Sequence, residues 1–148
     1  MTESTCVIDE LETTSLIENL NMVKSWAEKC WLDSGFPADK MHGMLLAIEE
    51  AYGNVCFHGY RDKPGPVKFK CYRGQDRSIT YKITDWAGPF DVTQVATPDI
   101  KPPLADRKIG GLGVLLIREM ADEIQWSYEN GANTLSLKFG FILENSKS

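Results

Sequence analysis

The segment EEAYGNVCFH, Glu49 to His58, gathers two carboxylates, an amide and an imidazole. Glu50 and Asn54 are four residues apart, so on a helix they share one face. A carboxylate there suits proton abstraction, and an amide oxygen is a hard ligand suited to Mg²⁺. Gly53 between them lets a ligand approach the backbone. Glu–Asn pairs at this spacing also occur as hydrogen-bonded partners on solvated helices, and spacing alone favours that plainer reading. His58, one turn further, reads as a phosphate or substrate contact, or as a histidine helped by the dipole at a helix C-terminus; position favours the second.

Two other segments carry chemical potential. In DWAGPFD, Asp85 closes an apolar strand and opens a Gly/Pro loop. An acid at that point accepts a hydrogen bond from the amino group of a bound base, with Gly88 and Pro89 turning the chain beneath a ring. It equally suits an Asp that caps a turn, which alone is the commoner role. In IGGLGVLLIREM, Gly110, Gly111 and Gly113 end where an apolar helix begins. Free N–H groups at a helix start, with glycines allowing close approach, form an anion site. Arg107 and Lys108 just upstream favour phosphate over a simple hinge. The pattern is neither GxGxxG after a strand nor GxxxxGK[ST], which removes Rossmann and P-loop readings.

These segments need elements to hold them. TCVIDEL (5–11) reads as a first strand. Leu16, Leu20, Val23, Ala27, Cys30 and Trp31 recur at helical spacing, and Ser15 with Glu18 suggests a capping box that starts this helix. Pro37 opens a second helix whose stripe is Met41, Met44, Leu45, Ile48, Ala51, Tyr52 and Val55. VKFKCYR (67–73) and SITYKIT (78–84) alternate and form a hairpin. The Pro- and Gly-rich stretch 85–113 reads as a long functional loop. A third helix, GVLLIREMADEI, follows, and Asn130-Gly131 joins two last strands, near QWSYEN and TLSLKFGFI. The order β-α-α-β-β-loop-α-β-β predicts an α+β fold: a two-layer α/β sandwich, a mostly antiparallel mixed sheet with about three helices on one face.

A chain of 148 residues suits one domain, 1–148, with a real core. A net charge of −5 with mixed signs argues against nucleic acid as the main partner. No apolar run approaches the roughly 20 residues that cross a bilayer, and the acidic N-terminus is not a secretory signal. Cys6, Cys30, Cys56 and Cys71 are widely spaced, which suggests buried free thiols in a reducing cytoplasm.

Together, and in this order, the three segments resemble the boxes of the Bergerat-fold (GHKL) ATPases. The chain is most similar to the small bacterial anti-sigma-factor serine kinases of that superfamily, over about residues 6–140. EEAYGNVCFHGY looks like their N box, DWAGPFD like their first glycine box, and GGLGVLLIREMADEI like their second. The resemblance implies an ATP-dependent serine/threonine protein kinase with ATP and Mg²⁺ as its cofactors. Asn54 would hold Mg²⁺, Glu50 would be general base on a serine, and Asp85 would read the adenine amino group. Gly110, Gly111, Leu112 and Gly113 would cover the phosphates, with Arg107 and Lys108 in the lid and Gly88 in the first box. Thr134 would support adenine through water. Ala87 stands where the family usually has glycine, a departure from its pattern. Implied partners are a STAS-domain anti-anti-sigma protein and a sigma factor, in a cytoplasmic homodimer. The alternative is an ATP-binding anti-sigma module without kinase activity.

Overall fold

The structure is a computed structural model and describes residues 5–60, 63–91 and 111–140. Its strands are β1 (Thr5–Thr14), β2 (Pro66–Gly74), β3 (Ser78–Asp85), β4 (Glu123–Glu129) and β5 (Ala132–Gly140). Its helices are α1 (Leu20–Asp33), α2 (Met41–Asn54) and α3 (Gly111–Met120). The sheet order is β1-β2-β3-β5-β4. Every pairing among the described residues is antiparallel, so the expected two-layer α+β fold is realised without a parallel pair.

Strict alternation decides which face of the sheet packs. Val67, Phe69 and Cys71 of β2, Ile79, Tyr81 and Ile83 of β3, and Leu135, Leu137 and Phe139 of β5 are buried. Their neighbours (Lys68, Lys70, Lys82, Ser136 and Lys138 among them) point to the opposite face, because successive strand side chains alternate. The helices cover the apolar face with the stripes read from the sequence. Val23, Ala27, Cys30 and Trp31 come from α1, and Met44, Ile48, Ala51 and Tyr52 from α2. Buried polar tips find backbone partners: Tyr81 Oη donates to the Ala27 carbonyl at 2.7 Å, and Trp31 Nε1 donates to the Pro37 carbonyl at 2.8 Å.

Several boundaries differ from expectation. β1 runs on to Thr14 and carries a bulge between Val7 and Asp9. The Ser15–Glu18 capping box does not form. Ser15 is instead buried against a distant segment, where its Oγ accepts from Gly65 N at 3.0 Å and its N–H donates to Gly65 O at 2.8 Å. A short 3-10 turn, Ile17–Asn19, follows, and α1 starts only at Leu20. Pro37 likewise precedes a 3-10 turn, Ala38–Lys40, before α2. The Asn130-Gly131 hairpin forms as read, with both residues at positive φ (55° and 80°), as a type I′ turn demands. All the cysteines are free thiols, but only Cys30 and Cys71 are buried; Cys56 is half-buried and Cys6 exposed. Among the described residues, no helix is long and apolar enough to cross a membrane.

Candidate functional site

Two hollows meet at the C-terminal end of α2. There the helix passes into a π-helical turn, Val55–Gly59, a distortion that occurs often at functional positions. The inner hollow is a narrow slot of about 30 Å³ between α2, β3, β4 and β5. Asn54, Asp85, Gly88, Phe90, Trp126 and Asn133 are among the side chains and backbone that line it. In this shape it has room for little more than a water, and Phe90, 39% exposed, is part of its wall. The outer hollow, about 330 Å³, is lined by Ile17, Leu20, Glu49, Glu50, Gly53, Asn54, Phe57 and His58. Asn54 belongs to both.

Asn54 is only 7% exposed, and its Nδ2 has no hydrogen-bond partner among the described residues. An orphaned buried amide is costly, about 1–3 kcal/mol, unless a ligand satisfies it. The unpaired Nδ2 is an N–H donor and suits a phosphate oxygen, while Oδ1 of the same amide is the atom that would ligate a Mg²⁺. Among the described residues, no group of three or more His, Cys, Asp or Glu side chains could hold a metal. Glu50 lies on the outer side of Asn54, away from the slot. Burial, and then the like charge of Glu49, pushes its carboxyl above the usual glutamate range. Glu49 itself is tied to Lys24 at 2.9 Å. His58 lines the same groove, and its buried Nε2 also lacks a partner among the described residues.

Asp85 ends β3 and is 8% exposed. Its Oδ1 accepts from Ala87 N at 3.0 Å, so it caps the turn it opens while still facing the slot. The turn is tied to the end of the π segment, since Trp86 N–H donates to Tyr60 Oη at 2.8 Å. Ala87, where the family usually has glycine, contributes its backbone N–H to the Asp85 cap. Gly88 lines the slot, but its φ is not in the left-handed region and a Cβ there would meet nothing within 4 Å. Its carbonyl makes the contact that matters, accepting from Asn133 Nδ2 at 2.7 Å.

Gly111, Leu112 and Gly113 form the first turn of α3, where backbone N–H groups have no intrahelical acceptor. α3 lies along α2, and a Cβ at Gly43 would sit 3.1 Å from Met120 Sδ. With the end of α3 beside the start of α2, the first turn of α3 is carried toward the Asn54 end. Arg107, Lys108 and Gly110 lie outside the described residues.

One expected residue is misplaced. Thr134 pairs with Thr84 across the strands, their Oγ1 atoms 3.4 Å apart, on the face opposite the slot. Asn133, one residue earlier, is 5% exposed, pairs with Asp85 and lines the slot. Strand parity carried the signal: Asn133 shares its side with Leu135, Leu137 and Phe139, whereas Thr134 shares its side with Ser136 and Lys138.

With this geometry in place, the comparisons are informative. Residues 13–139 match the family described as the histidine kinase-like ATPase domain. The serine-protein kinase RsbW of Bacillus cereus (strain AH187) is 29% identical over 110 residues, which is 72% of this chain and 68% of that protein. The serine-protein kinase RsbW of Bacillus mycoides (strain KBAB4) is 29% identical over 109 residues, 71% of this chain and 68% of that protein. Among solved structures, the RsbU and RsbW domains of Rv1364c from Mycobacterium tuberculosis superpose with a TM-score of 0.62 at 14% identity. That likeness, in fold alone, covers 89% of this chain and 32% of the solved one.

Proposed function

The chain belongs to the histidine kinase-like ATPase domain family, and from that premise we propose that it is an ATP-dependent protein serine/threonine kinase. In this reading it is a cytoplasmic anti-sigma factor, dimeric, that phosphorylates a serine of a STAS-domain anti-anti-sigma protein and otherwise holds a sigma factor. The observation that carries the reading is the position of Asn54: a buried, partly unsatisfied amide shared by the slot that Asp85 lines and the groove that Glu50 lines. The similarity to serine-protein kinases named RsbW supports the choice of acceptor.

The division of the site suggests the division of labour. Asp85 presents carboxylate oxygen to the 6-amino group of adenine in the slot. Asn54 holds Mg²⁺, which when bound neutralises phosphate charge. The first-turn N–H groups at Gly111 to Gly113 take phosphate oxygens, with Arg107 and Lys108 as cationic lid residues and Gly110 adjoining. Phosphoryl transfer asks little covalent chemistry of a protein beyond alignment and charge stabilisation. Glu50 opens onto the outer groove, so the acceptor serine arrives from that side. Glu50 takes its hydroxyl proton as the serine oxygen attacks the terminal phosphorus and ADP leaves. A carboxyl pKa raised by burial brings the base nearer to working pH and strengthens it.

The test is incubation with ATP, Mg²⁺ and a STAS-domain partner, followed by detection of phosphoserine. Transfer that depends on Glu50 supports the kinase reading. Tight nucleotide binding with no phosphoserine assigns the chain to the alternative, an anti-sigma module that holds ATP without transferring phosphate.

A further inference from the structure

Asn133 joins the slot, the loop after β3 and the sheet through a single side chain. Its Oδ1 accepts from Phe90 N and from Trp126 Nε1, each at 3.0 Å. Its Nδ2 donates to Gly88 O at 2.7 Å and to Asp85 Oδ1 at 3.0 Å. With two N–H donors on one side and two acceptors on the other, the amide has a single workable orientation.

The consequence falls on Asp85. Among the described residues, the two donors that reach it, Ala87 N and Asn133 Nδ2, go to the same oxygen, Oδ1. The carboxylate is thereby fixed in rotation, and its other oxygen is the one left for a bound base. A carboxylate held this way only accepts. It meets the 6-amino group of adenine favourably and the 6-oxo group of guanine unfavourably, acceptor against acceptor. A carboxylate free to turn would lose that bias.

We propose that Asn133 is the positioning residue that makes the slot selective for a 6-amino purine, by holding Asp85 acceptor-outward while tying the Gly88–Phe90 loop over the base. This rests on reading the slot as an adenine site. It adds a residue to that site and a reason for the base preference. Among the described lining of the slot, Asp85 from β3 is the titratable side chain; α2 contributes Asn54, β4 contributes Trp126 and the loop contributes Phe90, all uncharged.

The experiment compares ATP and GTP binding to the full chain in wild type, Asn133→Asp and Asn133→Leu, by calorimetry with Mg²⁺ present, and checks folding by thermal melting. Asn133→Asp is nearly isosteric and keeps the acceptor for Phe90 and Trp126, but it sets a second carboxylate against Asp85. At alkaline pH both carboxylates are charged and repel; at lower pH they share a proton, which restores a donor between them. The expected result is ATP binding weakened about tenfold or more at alkaline pH, largely recovered on acidification, against a flatter wild-type profile. Asn133→Leu should narrow the ATP-to-GTP preference in the folded fraction by about tenfold. If both variants fold and keep wild-type ATP affinity and selectivity at both pH values, Asn133 is only a structural tie and the proposal is overturned. Absence of ATP binding by wild type instead overturns the adenine-site reading beneath it.

Discussion

The proton acceptor can be tested through its neighbours. Burial and the charge of Glu49 together raise the Glu50 carboxyl above its ordinary value. A base must be ionised, so transfer should fall as pH drops through that raised value and plateau above it. Glu49 is partly neutralised by Lys24 at 2.9 Å, with the two side chains 34% (Lys24) and 37% (Glu49) exposed. Pairs this exposed are worth about 0.2–1 kcal/mol. That pair energy bounds what unmasking Glu49 does to Glu50: at 1.36 kcal/mol per pH unit, no more than about 0.7 unit. Lys24→Met unmasks the Glu49 charge and should move the midpoint of the profile alkaline by that order. Glu49→Gln removes the charge and should move it acid by a similar amount. Glu50→Gln should lower the rate by about 10²–10⁴-fold and leave ATP affinity near wild type. The assay is the initial rate of phosphoserine formation at saturating ATP across the acid limb. Midpoints that ignore both neighbouring substitutions, or an undiminished rate in Glu50→Gln, would refute this assignment of the base.

Two further outcomes follow from side chains outside the slot. Phe57 is 63% exposed and lines the groove beside Glu50; Phe57→Ala should raise KM for the protein acceptor several-fold, leaving ATP affinity and melting temperature unchanged, as acceptor titrations would show. Tyr81→Phe removes the buried hydroxyl that donates to Ala27 O at 2.7 Å; it should destabilise by about 1–2 kcal/mol, read as a melting temperature lower by about 3–8 °C.

Much of the scaffold was legible because two periodicities dominate it. Apolar recurrence at helical spacing located α1 and α2 by the residues that are in fact buried, and alternation located the hairpin of β2 and β3. Asn130-Gly131 announced its turn through the positive φ that few other pairs tolerate. What escaped was set by distant partners. Ser15 looked like a helix cap, but Gly65, far along the chain, takes both its polar groups, so the helix starts later. The polar end of β1 gave no strand signal because an edge strand needs little apolar character. The π turn after Asn54 leaves no mark on hydrophobic spacing. In the site, Glu50, Asn54 and Asp85 were singled out by type and spacing and given roles only by the family resemblance, and the structure gathers them around two adjoining hollows. Asn133 was passed over for its neighbour Thr134, a one-residue slip that reverses the face on a strand.

The most direct measurement is a titration of the protein with ATP, with Mg²⁺ and then with excess chelator, repeated on Asn54→Ala. Saturable binding by wild type that weakens sharply on chelation, and a variant that stays folded but has lost the Mg²⁺-dependent part, is the predicted result. Wild type that binds no ATP at about millimolar concentration, or Asn54→Ala with unchanged Mg²⁺-dependent affinity, would contradict a nucleotide site built around Asn54.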